Sequence, residues 1–119
     1  MRRGDIVWCD LAPRRGQEQE IRPVVAVSVD AYNESRSPLV AIVPLTRALR
    51  KNPLHVRLEA EETELNDSST ALIDHAQFID RSRLRPGAAG RLTAGAKARV
   101  DRNLARVLGL SNPPARPVQ

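Results

Sequence analysis

Aromatic residues make up only 3% of this chain of 119 residues, namely Trp8, Tyr32 and Phe78. Its core therefore has to be built from Val, Leu, Ile and Ala. Cys9 is the one cysteine, which excludes an internal disulfide and a cysteine-based metal framework and points to a reducing compartment. His55 and His75 have no further histidine at ligand spacing and no carboxylate cluster around them. No metal and no cofactor are expected. Long hydrophobic runs are also missing: nothing approaches the roughly 20 apolar residues of a membrane span. Met1-Arg2-Arg3 is followed at once by Gly4-Asp5 rather than by the apolar core of a signal peptide. Neither export nor insertion is expected, and the expected address is the cytoplasm.

The chain does carry an excess of positive charge, +5 at pH 7, which suits a polyanionic partner, with nucleic acid the first candidate. Length and even composition predict one domain over residues 1–110. The Pro-rich segment 111–119 is expected to be a disordered tail. Apolar runs of strand length dominate the first two thirds. Strands are predicted over Asp5 to Asp10, Arg22 to Val29 and Leu39 to Leu45, the last reading as buried on both faces. Leu54, Val56 and Leu58 alternate with His55 and Arg57 as in a half-buried strand, which turns His55 away from the core. Glu59 to Asp67, with five acids and few apolar residues, reads as a solvated loop. Thr70 to Ile79 reads as another strand, Asp80 to Leu84 as a turn, and Gly90-Arg91-Leu92 as a last short strand. Thr93 then caps a helix in which Ala96, Val100, Leu104, Val107 and Leu108 form one apolar stripe, with Gly109 at its C-terminal end.

Two of these runs end on groups that suit phosphate chemistry. Arg22 enters the run Pro23-Val24-Val25-Ala26, and Thr46 leaves the run Ile42-Val43-Pro44-Leu45. At the rim of a small sheet an arginine offers a permanent charge in a planar fork, and a threonine hydroxyl donates or accepts beside it.

Five pieces in register now carry a family resemblance. Arg3-Gly4-Asp5-Ile6-Val7-Trp8, Gly16-Gln17-Glu18-Gln19, Arg22-Pro23-Val24-Val25, Val43-Pro44-Leu45-Thr46, and Gly90-Arg91-Leu92 with the closing helix resemble the MazF/PemK family of toxin ribonucleases. The resemblance implies a mainly β fold, a small SH3-like barrel of strongly bent antiparallel sheet with a C-terminal α-helix. It also implies a homodimer, metal-independent cleavage of single-stranded RNA, and an antitoxin whose acidic, flexible segment occupies the RNA groove. Position by position, Arg22 and Thr46 match the family's catalytic arginine and threonine, and Glu18 matches the acid of its Gly-x-Glu-Gln motif.

Cleaving RNA without metal uses the substrate's own 2′-hydroxyl as nucleophile. The enzyme must help remove that proton, stabilise charge on phosphorus and protonate the leaving 5′-oxygen. Arg22 stays protonated and so fits the charge-stabilising task, Thr46 orients the phosphate, and Glu18 is the candidate base. The expected products are a 2′,3′-cyclic phosphate and a 5′-hydroxyl. Between the Glu-Gln motif and Arg22 this chain has only Glu20-Ile21, one residue fewer than the family pattern, which leaves Glu20 as the alternative acid. Arg14, Arg15, Arg47, Arg50 and Lys51 flank this site and supply salt-sensitive affinity for the RNA backbone. Gln19, His75 and Gln77 complete the RNA-binding set, with His75 and Gln77 standing where the family has a glutamine and an arginine. His55 is read as a structural histidine, Trp8 and Phe78 as packing residues of core or interface, and Cys9 as a small buried hydrophobe. Two other readings stand beside this one. A toxin of the same fold that binds DNA gyrase would close its helix on Trp-Gly-Ile, whereas this helix closes on Val107-Leu108-Gly109-Leu110. An RNA-binding module without catalysis would not depend on Arg22 or Thr46.

Overall fold

A computed structural model describes residues 1–11 and 20–110. Glu18, Gln19, Arg14, Arg15 and the tail 111–119 lie outside the described residues. The chain order is β1 (Asp5–Leu11), β2 (Glu20–Ala26), α1 (Asp30–Asn33), β3 (Leu39–Thr46), β4 (Val56–Leu58), α2 (Ala60–Thr63) and β5 (Ser69–Ala71). A 3-10 turn (Ile73–His75), β6 (Gln77–Asp80), a second 3-10 turn (Arg81–Arg83), β7 (Leu84–Arg91) and α3 (Ala94–Val107) follow. The strands make one antiparallel sheet in the order β4-β5-β3-β2-β1-β7, with β6 paired to the first half of β3. The fold is thus the expected bent antiparallel sheet with a C-terminal helix, and the sheet is open, since no pairing joins β4 to β7 among the described residues.

Alternation along the central strands explains why the sheet bends. On β3, Val43 and Leu45 enter one core and Val40 and Ile42 the other; on β1, Ile6 enters the first and Val7 and Cys9 the second. Strands with apolar residues on both faces have to be covered on both. Ala96 and Val100 of α3, with Leu92 before it, cover the first core together with Val56, Leu58 and Ile73. Ile79 of β6 closes the second, with Leu84 of β7 packed against it. Thr93 caps α3 as expected, its hydroxyl accepting from the Ala96 N–H at 3.2 Å. Gly109 follows the helix at φ +72°, a conformation open to glycine and strained for other residues.

Several expectations are corrected. The acidic stretch 59–67 is not wholly a solvated loop: α2 forms within it because Glu59 and Glu62 make a reciprocal capping box, and Thr63 is buried. The countercharges are remote in sequence, Arg99 to Glu62 at 3.0 Å and Arg47 to Asp67 at 3.2 Å. The predicted strand over 70–79 is split by the 3-10 turn at Ile73–His75, so His75 stands on that turn rather than in a strand. The last strand is longer than expected, beginning at Leu84. The β4 strand starts only at Val56, because Asn52 folds the preceding residues into a turn, its side-chain oxygen accepting from the Leu54 N–H and its carbonyl from the His55 N–H. Strand alternation therefore does not govern His55, and its side chain is buried, 5% exposed, rather than turned outward. The apolar stripe of α3 is buried only at Ala96 and Val100, while Val107 and Leu108 are exposed. Neither Trp8 (43% exposed) nor Phe78 (60%) belongs to the core; Phe78 meets Tyr32 edge to face at 6.0 Å. Cys9 is fully buried, as expected.

Candidate active site

The register of β2 and β3 brings two sequence-predicted residues together. Val24 pairs with Pro44, Val25 with Val43 and Ala26 with Ile42. Arg22 lies two residues before Val24 and Thr46 two residues after Pro44, so both stand just beyond the last pair of that ladder. Pro44 has no N–H to give, and the ladder between the strands ends there. Beyond that end β2 stays paired with β1 and β3 with β5, and an open cleft of about 440 Å³ is lined from both sides. Arg22 and Thr46 both line it, with Arg47 beside them. Trp8, Ile21, Pro23, Leu45 and Leu65 supply apolar wall, and Asn66, Asp67 and Ser69 a polar rim.

The chemistry of each group follows from its partners. Arg22 is about three-quarters buried and its guanidinium pairs with Glu20, two residues earlier on the same face of β2. That contact uses one of its five N–H donors, so the fork still presents donors to an anion in the cleft. The Thr46 hydroxyl oxygen accepts from the Ala48 N–H at 3.2 Å, which fixes the side chain and leaves the O–H available to donate. Behind it, Thr70 pairs with Thr46 across β3 and β5, and Arg57 donates to the Thr70 hydroxyl at 2.9 Å. Cys9 stands opposite Arg22 on β1, and burial pushes its thiol up to about 11, so it packs and does not react.

The other sequence-predicted groups are placed apart from this cleft. Arg50 and Lys51 are exposed and do not line it. His75, on the 3-10 turn between β5 and β6, and Gln77, the first residue of β6, are exposed and also outside the lining. Asp74, between them and β5, accepts from the His55 imidazole at 2.7 Å, and this hydrogen bond holds its carboxyl below the usual carboxylate range. Trp8, Asn66 and Ser69 are cleft residues that sequence reasoning missed. Trp8 alternates with the buried Val7 and Cys9, the one available signal that it faces elsewhere. Asn66 and Ser69 reach the rim only through tertiary packing, which no local pattern reveals. Among the described residues no group of three or more His, Cys, Asp or Glu side chains could hold a metal ion.

Comparison with known proteins agrees with this architecture. Residues 2–108 match the family model described as PemK-like, MazF-like toxin of type II toxin–antitoxin system. The chain is 34% identical over 115 residues to Endoribonuclease MazF of Staphylococcus epidermidis, covering 94% of each chain. It is 38% identical over 88 residues to Endoribonuclease MazF of Staphylococcus saprophyticus, covering 71% of this chain and 72% of that one. Among solved structures it is similar to MazE–MazF from Deinococcus radiodurans, with a TM-score of 0.78 and 30% identity over 93% of this chain and 97% of that one. It is also similar to an endoribonuclease in complex with its cognate antitoxin from a mycobacterial species, with a TM-score of 0.75 and 25% identity over 95% of this chain and 99% of that one.

Proposed function

The chain belongs to the PemK-like, MazF-like toxins of type II toxin–antitoxin systems, and from that premise we propose that it cuts single-stranded RNA in the cleft between the ends of β2 and β3. The observation that carries this reading is the meeting of Arg22 and Thr46 in one cleft. The scissile phosphate enters between them. Arg22 gives N–H groups to its non-bridging oxygens, a charge-assisted contact that strengthens as negative charge builds on phosphorus. Thr46 donates its O–H to the same phosphate and so fixes the line of attack of the 2′-hydroxyl. An acid, Glu18 or Glu20, takes the 2′-proton; Glu20 is already in contact with Arg22, which moves to the phosphate when RNA binds. Attack by the 2′-oxygen on phosphorus breaks the bond to the 5′-oxygen, which takes a proton from water as it departs, leaving a 2′,3′-cyclic phosphate and a 5′-hydroxyl with no metal ion required. Trp8 and the apolar wall are a surface on which a base can lie, and Arg47, Arg50 and Lys51 hold the backbone.

The two-copy assembly and an antitoxin belong to the same proposal. An acidic extended segment of the antitoxin suits the charge of Arg22 and Arg47 at the cleft, and it competes with RNA for them. Incubation of the protein with a long single-stranded RNA in EDTA, with mapping of the cut ends, tests the reading. Cuts at a short recurrent sequence with cyclic-phosphate ends, falling about 100-fold or more in Arg22→Ala and strongly in Thr46→Ala, are expected. Folded protein that binds RNA and never cuts it would favour a binding module, and inhibition of gyrase supercoiling would favour a gyrase-binding toxin.

A further inference from the structure

We propose that Asp67 is a built-in competitor of phosphate for Arg47: an RNA strand displaces it from that cleft cation, and a lone small anion does not. The inference rests on the ribonuclease reading above. Among the described residues that line the cleft, Arg22 and Arg47 are the only cations and Glu20 and Asp67 the only acids. Each cation is held by one of these acids, Arg22 by Glu20 and Arg47 by Asp67 at 3.2 Å. In a chain of net charge +5, this lining therefore carries no net charge of its own. A carboxylate and a phosphodiester make the same charge-assisted contact with a guanidinium. Asp67 thus uses the donors of Arg47 that a phosphate would use.

The backbone on both sides of this contact is fixed. Thr46 pairs with Thr70, which lays the chain entering β5 beside the chain leaving β3. Arg47 follows Thr46 directly, and Asp67 stands three residues before Thr70. The residues between are anchored: Ser69 is buried and pairs with Leu58 of β4, and the Ser68 hydroxyl donates to the Glu59 carboxylate at 2.9 Å. The two side chains that meet are nonetheless open to solvent, 81% exposed for Arg47 and 63% for Asp67. That combination makes the contact exchangeable. Anchored backbone keeps the acid beside Arg47, while solvent screening holds the pair to a factor of about five in an equilibrium. An anion arriving alone has to displace a tethered carboxylate for the sake of one contact. A strand already bound at Arg22 brings a neighbouring phosphate to Arg47 as an intramolecular step, so the same exchange costs it little of its total affinity. Asp67 therefore selects strands over small anions at the cutting site.

The test takes an RNA that the wild type cuts and places 2′-deoxyribose at the mapped cut, so that the strand binds and is not cleaved. Its dissociation constant is measured for wild type, Asp67→Asn, Arg47→Ala, the double variant and Glu61→Gln, the last changing an exposed acid outside the cleft lining. Asp67→Asn should bind about fivefold more tightly at low salt, a gain that fades as salt screens the charges. Arg47→Ala should weaken binding, and Asp67→Asn added to it should bring little further gain, because the acid acts through Arg47. With the unmodified RNA at constant ionic strength, half inhibition of cutting should need about fivefold less inorganic phosphate in Asp67→Asn than in wild type. Unchanged or weaker binding by folded Asp67→Asn, the same gain in the Arg47→Ala background, the same gain in Glu61→Gln, or equal sensitivity to phosphate would overturn the proposal. Absence of both binding and cutting by the wild type removes the ribonuclease reading and this inference with it, whereas wild-type cutting with an indifferent Asp67→Asn removes this inference alone.

Discussion

Replacing Gly90 by alanine probes how the acidic segment is fixed beside the cleft. A Cβ at position 90 would stand 2.1 Å from the Thr63 carbonyl oxygen and 3.3 Å from the Glu64 Cβ. Ordinary contact begins near 3.4 Å, so the carbonyl has to retreat by the difference, about 1.3 Å. It cannot retreat alone. Thr63 is fully buried, the Thr93 N–H donates to the Glu62 carbonyl at 3.0 Å, and Arg99 holds the Glu62 carboxylate at 3.0 Å. Overpacking costs about 1–3 kcal/mol, and because the obstacle is backbone rather than the tip of a flexible side chain we place this substitution near 3. For a chain of this size that lowers the melting temperature by about 10–15 °C. Gly95→Ala is the control: it lies in the first turn of α3 with nothing within 4 Å of its added carbon, and it should be neutral or stabilise by up to about 1 kcal/mol. Thermal unfolding followed by circular dichroism reads both. Because α2 leads into Leu65, Asn66, Asp67 and Ser69 on the cleft rim, the emission of Trp8, the only tryptophan, should shift in Gly90→Ala and not in Gly95→Ala. A wild-type melting temperature with unchanged emission in Gly90→Ala would refute the seating of α2 on β7.

Burial raises the Cys9 thiol from 9.0 to about 11, so the folded chain should resist iodoacetamide at pH 8 and react fully in guanidinium. Since the folded form keeps its proton longer than the unfolded one, this group's contribution to stability should decline as the pH rises from about 9 to 11; rapid labelling of the native protein would contradict the burial. The Asp74 carboxyl is held below its usual 3.8 chiefly by the hydrogen bond from His55. Its contribution is present above that value and lost as the pH falls through the folded pKa, so wild type and Asp74→Asn should differ at pH 6 by less than about 1 kcal/mol and converge below pH 4. A difference that persists unchanged at pH 3 would count against the contact. Arg3 grips Asp101 of α3 through two nitrogens, at 2.8 and 2.5 Å, and Asp101 contributes most to raising its pKa. With both groups roughly a third exposed, Arg3→Lys should cost about 0.5–1 kcal/mol in urea unfolding, because an ammonium cannot reproduce the fork; an unmoved midpoint would show that the fork adds nothing.

What the sequence revealed and what it hid divide along one physical line. A strand buried on both faces has to be apolar at every position, so β3 was legible from Leu39 to Leu45 without reference to anything else in the chain. Thr93 and Gly109 were legible for a similar reason, because a cap is a local exchange between one residue and the next turn. The errors arose where a residue's environment is set from far away. Glu59 to Asp67 looked like unpaired charge because Arg99 and Arg47 are distant in sequence, and the spacing from Glu59 to Glu62 was the one local signal for α2. His55 was assigned a face by alternation with Leu54 and Val56, yet Asn52, directly before Pro53, starts a turn that keeps His55 out of the strand; Asn-Pro was the available signal. The cleft follows the same rule. Arg22 and Thr46 were each readable as polar strand ends, but their meeting depends on the register of β2 and β3, and the room between them depends on the ladder stopping at Pro44. A site at the rim of a sheet is thus built where pairing ends, and there the period of two that makes strands readable no longer says which way a side chain points.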